Sequence, residues 1–223
     1  MTEKRQISLF PLPSTVFYPN TLLPLHIFEM RYREMVAHSI ETGQWIGMVL
    51  LQSGWEEQYY ESPPIDSIGC AGPIKKHTQQ EDGKYNIVIS GQTRFRVLDE
   101  FGDRPFRQAN VELLTNIEDS PINKTEGSPF YNLASRFWNF RELLPEEKRG
   151  ELELDLDNCR SLGDATDRMA HLLDFTLDQQ RFFLEELNVE KRVAALLETL
   201  ELKTRIVQQS SRFAREGLDS RWN

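Results

Sequence analysis

Four histidines and two cysteines are the side chains of this 223-residue chain best suited to hold a metal or to act as base and nucleophile. His26, His38, His77 and His171 each stand more than five residues from any other histidine or cysteine. Cys70 and Cys159 are far apart, so no zinc-type spacing exists and neither a metal nor a cofactor is expected. His26 stands out because it lies among Pro24, Leu25 and Ile27 on an apolar stretch. A nucleophile fares no better. There is no G-x-S-x-G elbow, and Ser53-Gly54 and Ser90-Gly91 read as turns. None of the twelve glycines opens a G-x-x-x-x-G-K-[ST] loop to cradle phosphates. Residues 142–157 hold seven acids, enough for a carboxylate pair of the glycosidase kind. With Lys148 and Arg149 among them they read as a solvated charged surface. No catalytic residue is named, and the chain is expected not to be an enzyme.

Binding residues are easier to find. The segment from Trp55 to Pro64 matches neither strand nor helix, yet it sets Trp55, Tyr59 and Tyr60 among acids. Aromatics on a polar loop bury much area at low entropic cost, as peptide-binding surfaces do. The competing reading folds them back over a barrel. Trp138 poses the same question. Successive helical residues are ~100° apart, so Phe137, Trp138 and Phe140 cannot all face one core. Trp138 is the one off the stripe, either packed on the barrel, as burial of tryptophan favours, or open to a partner. Lys75, Lys76, Arg94 and Arg96 lie near Tyr85 and Phe95, but Glu81, Asp82, Asp99 and Glu100 surround them. That is a thin footprint for nucleic acid.

Charge agrees. Lys and Arg total 26 against 35 Asp and Glu, a net −9, shared as −3 over residues 1–117 and −6 over the remainder. Neither part is a basic patch that would seek nucleic acid or an anionic membrane. The start, MTEKRQISLF, lacks a signal-peptide core, and no apolar run nears the ~20 residues that span a bilayer. With no export signal the two cysteines read as reduced thiols, and a cytoplasmic protein is expected.

The elements that must position these side chains fall in two groups. From Leu9 to Val36 the chain reads LFPLPSTVFYPNTLLPLHIFEMRYREMV. Pro11, Pro13, Pro19 and Pro24 forbid a continuous central strand, so the run must wind as short extended pieces along an edge or a barrel rim. Phe28, Tyr32, Met35, Val36 and Ile40 then recur at helical spacing, and Gly43 is a stop. Residues 46–51 suit a buried strand, Pro73 an edge or bulge, and Glu81-Asp82-Gly83 a hairpin turn. Residues 85–90 and 93–101 are expected to pair around Gly91-Gln92, with Phe95, Val97 and Phe101 on one face. Residues 118–127 read as a polar linker. Beyond it the pattern is helical: Phe130, Leu133, Ala134, Phe137, Phe140 and Leu144 form a stripe, Ser161-x-x-Asp164 a capping box, and Asp178 and Asn188 caps. The stretch 145–160 reads as irregular, with acids and leucines alternating from Glu151 to Asp157. The fold class is therefore α+β: a β-rich pseudobarrel subdomain (1–117), a linker (118–127) and a C-terminal helical bundle (128–223).

Several pieces in order resemble one family. Leu9-Phe10-Pro11-Leu12, Pro24-Leu25-His26-Ile27-Phe28-Glu29 and Arg31-Tyr32-Arg33-Glu34-Met35 are followed by Ile46-Gly47-Met48-Val49, Ile68-Gly69-Cys70-Ala71, and Asp82 to Ile87 leading into Gly91-Gln92-Thr93-Arg94-Phe95-Arg96-Val97. Together they resemble the amino-terminal substrate-binding domain of the Lon family of ATP-dependent proteases over roughly 7–205, more weakly between about 116 and 160. The resemblance implies a PUA-like pseudobarrel. It also implies a non-catalytic recognition module, free-standing without ATPase and Ser–Lys peptidase modules and linked to proteolysis or protein quality control. The implied partners are unfolded or exposed polypeptide segments, together with a protease or chaperone. The rival reading is a PUA-like module for RNA or a small ligand. The residues expected to bind peptide are Trp55, Tyr59, Tyr60 and Trp138.

The last helix, from Glu190 to about Arg215, has its stripe at Val193, Leu196, Leu197 and Leu200. Past Thr204 and Val207 the pattern thins, so it should dock along its first half and be solvated along its second. Ile206, Val207 and Phe213 are the candidates for weak self-association there, and a fraying end is the plain alternative.

Overall fold

The computed structural model describes residues 3–58, 62–102, 104–156 and 158–219. They form two compact units, residues 1–116 with 174–187 and residues 117–173 with 188–223. The first carries the strands β1 (Lys4–Leu12), β2 (Leu22–Ile27), β3 (Ile46–Leu51), β4 (Ile65–Gly72), β5 (Ile74–Gln79), β6 (Tyr85–Ser90), β7 (Thr93–Phe101) and β8 (Gln108–Leu114), with helices α1 (Met30–Thr42) and α5 (Leu177–Glu185). The second carries α2 (Pro129–Glu142), α3 (Glu146–Glu151), α4 (Leu162–Leu172) and α6 (Val189–Asp219). Among the described residues no helix is long and apolar enough to cross a membrane. The chain is α+β, a β-rich barrel joined in sequence to a C-terminal helical region.

The barrel closes in the order β1-β3-β4-β7-β8, and a separate three-stranded sheet runs β2-β6-β5. β1 is the closing strand. Its Lys4–Ser8 half pairs antiparallel with β8, and its Ser8–Leu12 half pairs parallel with β3. The parallel pair needs a crossover, which β2 and α1 supply. Gly43 ends α1 in the left-handed region at φ 71°, its N–H donating to the Ser39 carbonyl, as the sequence implied. Inside the barrel Ile7, Leu9, Val49, Ala71, Phe95, Ala109 and Val111 form the core. The Phe95 ring lies flush on backbone: a Cβ added at Gly47 or Gly69 would come within 2.8 or 2.7 Å of it. Those two glycines make room for the largest ring of this core, so overpacking there would cost stability.

Three sequence expectations about the strands and α1 change. The strands β6 and β7 are not a hairpin: β6 pairs with β2 and β5, and β7 with β4 and β8. Gly91 and Gln92 carry the chain from one sheet to the other, donating to the Thr21 and Ala71 carbonyls. The hairpin that does form joins β5 to β6 through Gly83, at φ 80°. Phe101 leaves the core face because a bulge between Val97 and Asp99 shifts the register. Phe28 is outside α1, whose cap is Glu29 and whose buried stripe is Tyr32, Met35, Val36 and Ser39.

α5 belongs with the strands, not with the helices that precede and follow it in sequence. Thr176, rather than Asp178, caps it, in a capping box with Gln179. It packs on β4, Arg181 pairs with Asp66 at 2.8 Å, and the Tyr18 hydroxyl donates to the Gln180 carbonyl at 2.8 Å. Its last carbonyls have no helical partner. The buried Arg94 of β7 supplies one, Nε donating to Leu184 O at 2.7 Å and an Nη to Phe183 O at 2.9 Å. A cation at a helix C-terminus also meets the favourable end of the helix dipole.

In the second unit Ser128 caps α2 with Pro129 at N1, and Phe130, Leu133, Phe137 and Phe140 are buried. Residues 118–127 are not a free linker. Asp119 accepts from Gly163 N–H and the Ser161 hydroxyl, which itself caps α4, and Pro121 bridges to Ser161. The acid–leucine alternation of 151–156 is real: Leu152, Leu154 and Leu156 are buried, though residues 146–151 form the short helix α3. Asn188 caps α6 at Lys191 N–H. Arg192 of α6 and Asp167 of α4 form a wholly buried ion pair. α6 buries Val193, Leu196 and Leu200 and exposes Leu202 and Ile206. Val207 is half-buried, and the Phe213 side chain lies outside the described residues.

Arg94→Ala leaves two buried carbonyls unpaired, at roughly 1–3 kcal/mol each. The expected result is a lower urea midpoint together with early protease cleavage within residues 174–187. An unchanged midpoint would show that α5 is held without it.

Candidate functional site

A groove of about 930 Å³ lies within the first unit. Phe10, Pro11 and Leu12 of β1 with Pro13 line one part, Leu25 and His26 of β2 another, then Phe28 and Tyr32, Trp55 and Pro63, and Phe101 with Arg104 to Arg107. The half of β1 that has left β8 builds the floor. Phe10 and Tyr32 pack with ring centroids 4.3 Å apart. Arg107 makes a bidentate bond to Glu100, at 2.5 and 2.6 Å, and donates to the Pro63 carbonyl at 2.7 Å. Arg31 lies over the Tyr32 ring and pairs with Glu29 at 3.0 Å. Two of the rim arginines, Arg31 and Arg107, are thus answered by carboxylates, and beside the exposed His26, Glu56 and Arg104 the open lining is apolar. Phe28 is 61% exposed and Met30, two residues on, 63%; Phe101 is also exposed. Such surface can take another apolar group out of water.

Of the residues named from sequence, Trp55 lines this groove, half-buried at the start of a 3-10 turn, Trp55–Gln58. Tyr59 and Tyr60 lie outside the described residues. Trp138 belongs to α2 in the other unit, edge-on to Phe137 and under the Arg141 guanidinium, and is 37% exposed. The sequence reading missed Phe28 and Phe101. Phe28 had a signal: an apolar residue just before a helix cap is usually stapled to an apolar N4 residue, and counted from Glu29 that residue is Arg33. Phe101 also had one, the adjacent apolar pair Val97-Leu98 breaking strict alternation.

The other candidate chemistries disperse. His26 Nδ1 lies 2.7 Å from Asn86 Oδ1 on an exposed face. Among the described residues no three His, Cys, Asp or Glu side chains gather as a metal site. The four cations near Tyr85 do not share a surface: Arg94 is buried against α5, and Arg96 pairs with Glu112. In the acidic run, Glu142 is paired with Arg141 and Arg149.

Comparison with known proteins converges. The model of the ATP-dependent protease La (LON) substrate-binding domain matches residues 6–201. Lon protease 2 of Myxococcus xanthus is 25% identical over 206 residues, covering 92% of this chain and 24% of that protein. The Lon protease of Paraburkholderia phytofirmans is 28% identical over 213 residues, covering 91% and 26%. The chain therefore spans about a quarter of the length of these relatives. Among solved structures, the Lon N-terminal domain protein from Xanthomonas campestris superposes with a TM-score of 0.63 at 21% identity, over 87% of this chain and 98% of that one. The N-terminal domain of Mycobacterium avium complex Lon protease gives 0.62 at 14%, over 88% and 98%. At these identities the superpositions speak for the fold.

The cysteines complete the picture. Both are buried and neither forms a disulfide. Burial, with Asp164 adding to it, pushes the Cys159 thiol up to about 11. It is then a neutral thiol at physiological pH and a poor nucleophile. In the folded chain at pH 8, Cys159 is expected to resist a thiol-alkylating reagent and to react promptly in urea. Mass spectrometry of the labelled peptide reads the difference, and fast labelling of the folded chain would contradict the assignment.

Proposed function

The chain belongs to the family of the ATP-dependent protease La (LON) substrate-binding domain, and from that premise we propose that its first unit holds segments of other polypeptides in the groove floored by β1. The observation that carries this reading is the open aromatic surface there, Phe28 above all, 61% exposed beside Trp55 and Phe101 in one groove. Burying a phenylalanine side chain yields roughly 1.5–3 kcal/mol, so two or three such anchors suffice for a weak, general hold on an unfolded chain. Folded clients have already buried these side chains, which makes the groove selective for exposed segments. Such a module acts without chemistry of its own, presenting clients to a protease or chaperone in protein quality control. Trp138 offers a second, smaller contact on the helical unit.

Against a labelled unstructured peptide rich in Phe and Leu, Phe28→Ser combined with Trp55→Ala should weaken binding about tenfold or more. The unfolding free energy from urea titration should hold to within about 0.5 kcal/mol, because both side chains are partly exposed. Equal loss of stability and affinity would make them core residues. An RNA ligand whose affinity falls steeply with salt would favour the nucleic-acid reading instead.

We also propose that the second half of α6, through the exposed Ile206 and Val207 and Phe213 further along the sequence, contacts a second copy weakly. Analytical ultracentrifugation of the full chain against one truncated after Leu202 tests it. A mass that rises with concentration only in the full chain is expected, and identical behaviour would end the idea.

A further inference from the structure

The strand edges at the groove are broken by residues that lack an N–H donor. Successive amides of β1 point to opposite sides. Ser8 N–H donates towards β3, to the Trp45 carbonyl, and Leu9 N–H donates to the other side, to the Arg107 carbonyl at 2.8 Å. Phe10 therefore faces β3, and residue 11 faces the side where the ladder with β8 has already ended at Ser8. Residue 11 is proline, buried where it lines the groove, and the exposed Pro13, in the bend just past the strand, lines it too. At β2, an edge of its three-stranded sheet, the row of donors is interrupted instead. Gly91 N–H donates to Thr21 O, which sets Thr21, Leu23 and Leu25 towards β6 and turns Leu22, Pro24 and His26 outward. Pro24, midway along that edge, offers no N–H to an incoming strand, and neither does Pro11 on β1.

We infer that a polypeptide in this groove is held by its side chains and does not extend either sheet as an added strand; the inference rests on the proposed function above. Strand addition needs donors and acceptors in alternation along an edge. Here a client carbonyl brought against Pro11 would lose its water and meet a pyrrolidine ring, an uncompensated burial. Phe28, Phe101 and Trp55 need no such alignment. The class of partner follows: segments carrying bulky apolar side chains, read without regard to backbone register. The same prolines keep the edge from pairing with a second copy of itself.

The test is a pair of complementary N-methylated peptides. The full chain is titrated, by fluorescence anisotropy, with a labelled unstructured peptide rich in Phe and Leu. Two versions follow, one N-methylated on its odd residues and one on its even residues. An added strand tolerates methyl groups facing away from the edge and is blocked by those facing it, so it distinguishes the two versions. Recognition by side chains does not, and any general effect of methylation cancels between them. The expected result is that the two dissociation constants agree within about threefold, both rising about tenfold in Phe28→Ser. A difference of about tenfold between the versions, with the Phe28→Ser effect retained, overturns the inference and leaves the groove as the binding site. Binding indifferent to Phe28→Ser, or no binding, overturns the groove reading and the inference with it.

Discussion

The division of β1 between two partners is the constraint on which the first unit depends. Up to Ser8 the strand pairs with β8, from Ser8 onward it pairs with β3, and the two pairings together close the barrel. Beyond Ser8 the ladder with β8 no longer accompanies it, so the barrel wall continues as a one-sided edge and the space beside it becomes the groove. A closed barrel has no edges to protect, but one that opens along half a strand has a short one. Pro11 and Pro13 stand where that edge would otherwise present amides, and the aromatic residues collect beside it. Closure, groove and edge protection are thus three consequences of one strand changing partners midway.

The first unit is completed by a helix from far along the chain. α5 is short, nine residues, and too small to be stable by itself. What holds it is specific: Arg94 on its last free carbonyls, Tyr18 on another, Arg181 on Asp66, and the Phe175–Phe183 contact at 4.8 Å. A buried guanidinium is tolerable only when its donors are answered, and the open C-terminal carbonyls of a helix answer them well. In the helical unit the buried Arg192–Asp167 pair ties α6 to α4 in a similar way. Such pairs specify which helix faces which more than they add net stability.

Family membership and the groove are compatible descriptions at different levels. The family names a domain that, in the relatives this chain resembles, occupies about a quarter of a longer protease. The geometry contributes the surface itself, open and apolar, with rim charges that mostly cancel. A rim of paired charges neither steers a charged ligand strongly nor repels an ordinary polypeptide.

The sequence by itself determined the elements and their class. A run of apolar residues marked β3, helical spacing marked α2 and the docked half of α6, and Ser161 and Asn188 were legible as caps because capping uses neighbours in the chain. The prolines of the first 24 residues already required an edge or rim. The tertiary structure decided what depends on residues distant in sequence. It separated β6 from β7 despite the short turn between them, because each found better partners elsewhere. It brought α5 back to the strands through Arg94, whose burial no local pattern announces. It turned Phe28, read on the stripe of α1, and Phe101, read on one face with Phe95 and Val97, into the open surface of the groove, one because its staple position holds Arg33 and the other because a bulge shifted its strand by a residue. Periodicity reports which face a side chain takes on its own element; which faces are then covered is settled only when the elements choose their neighbours.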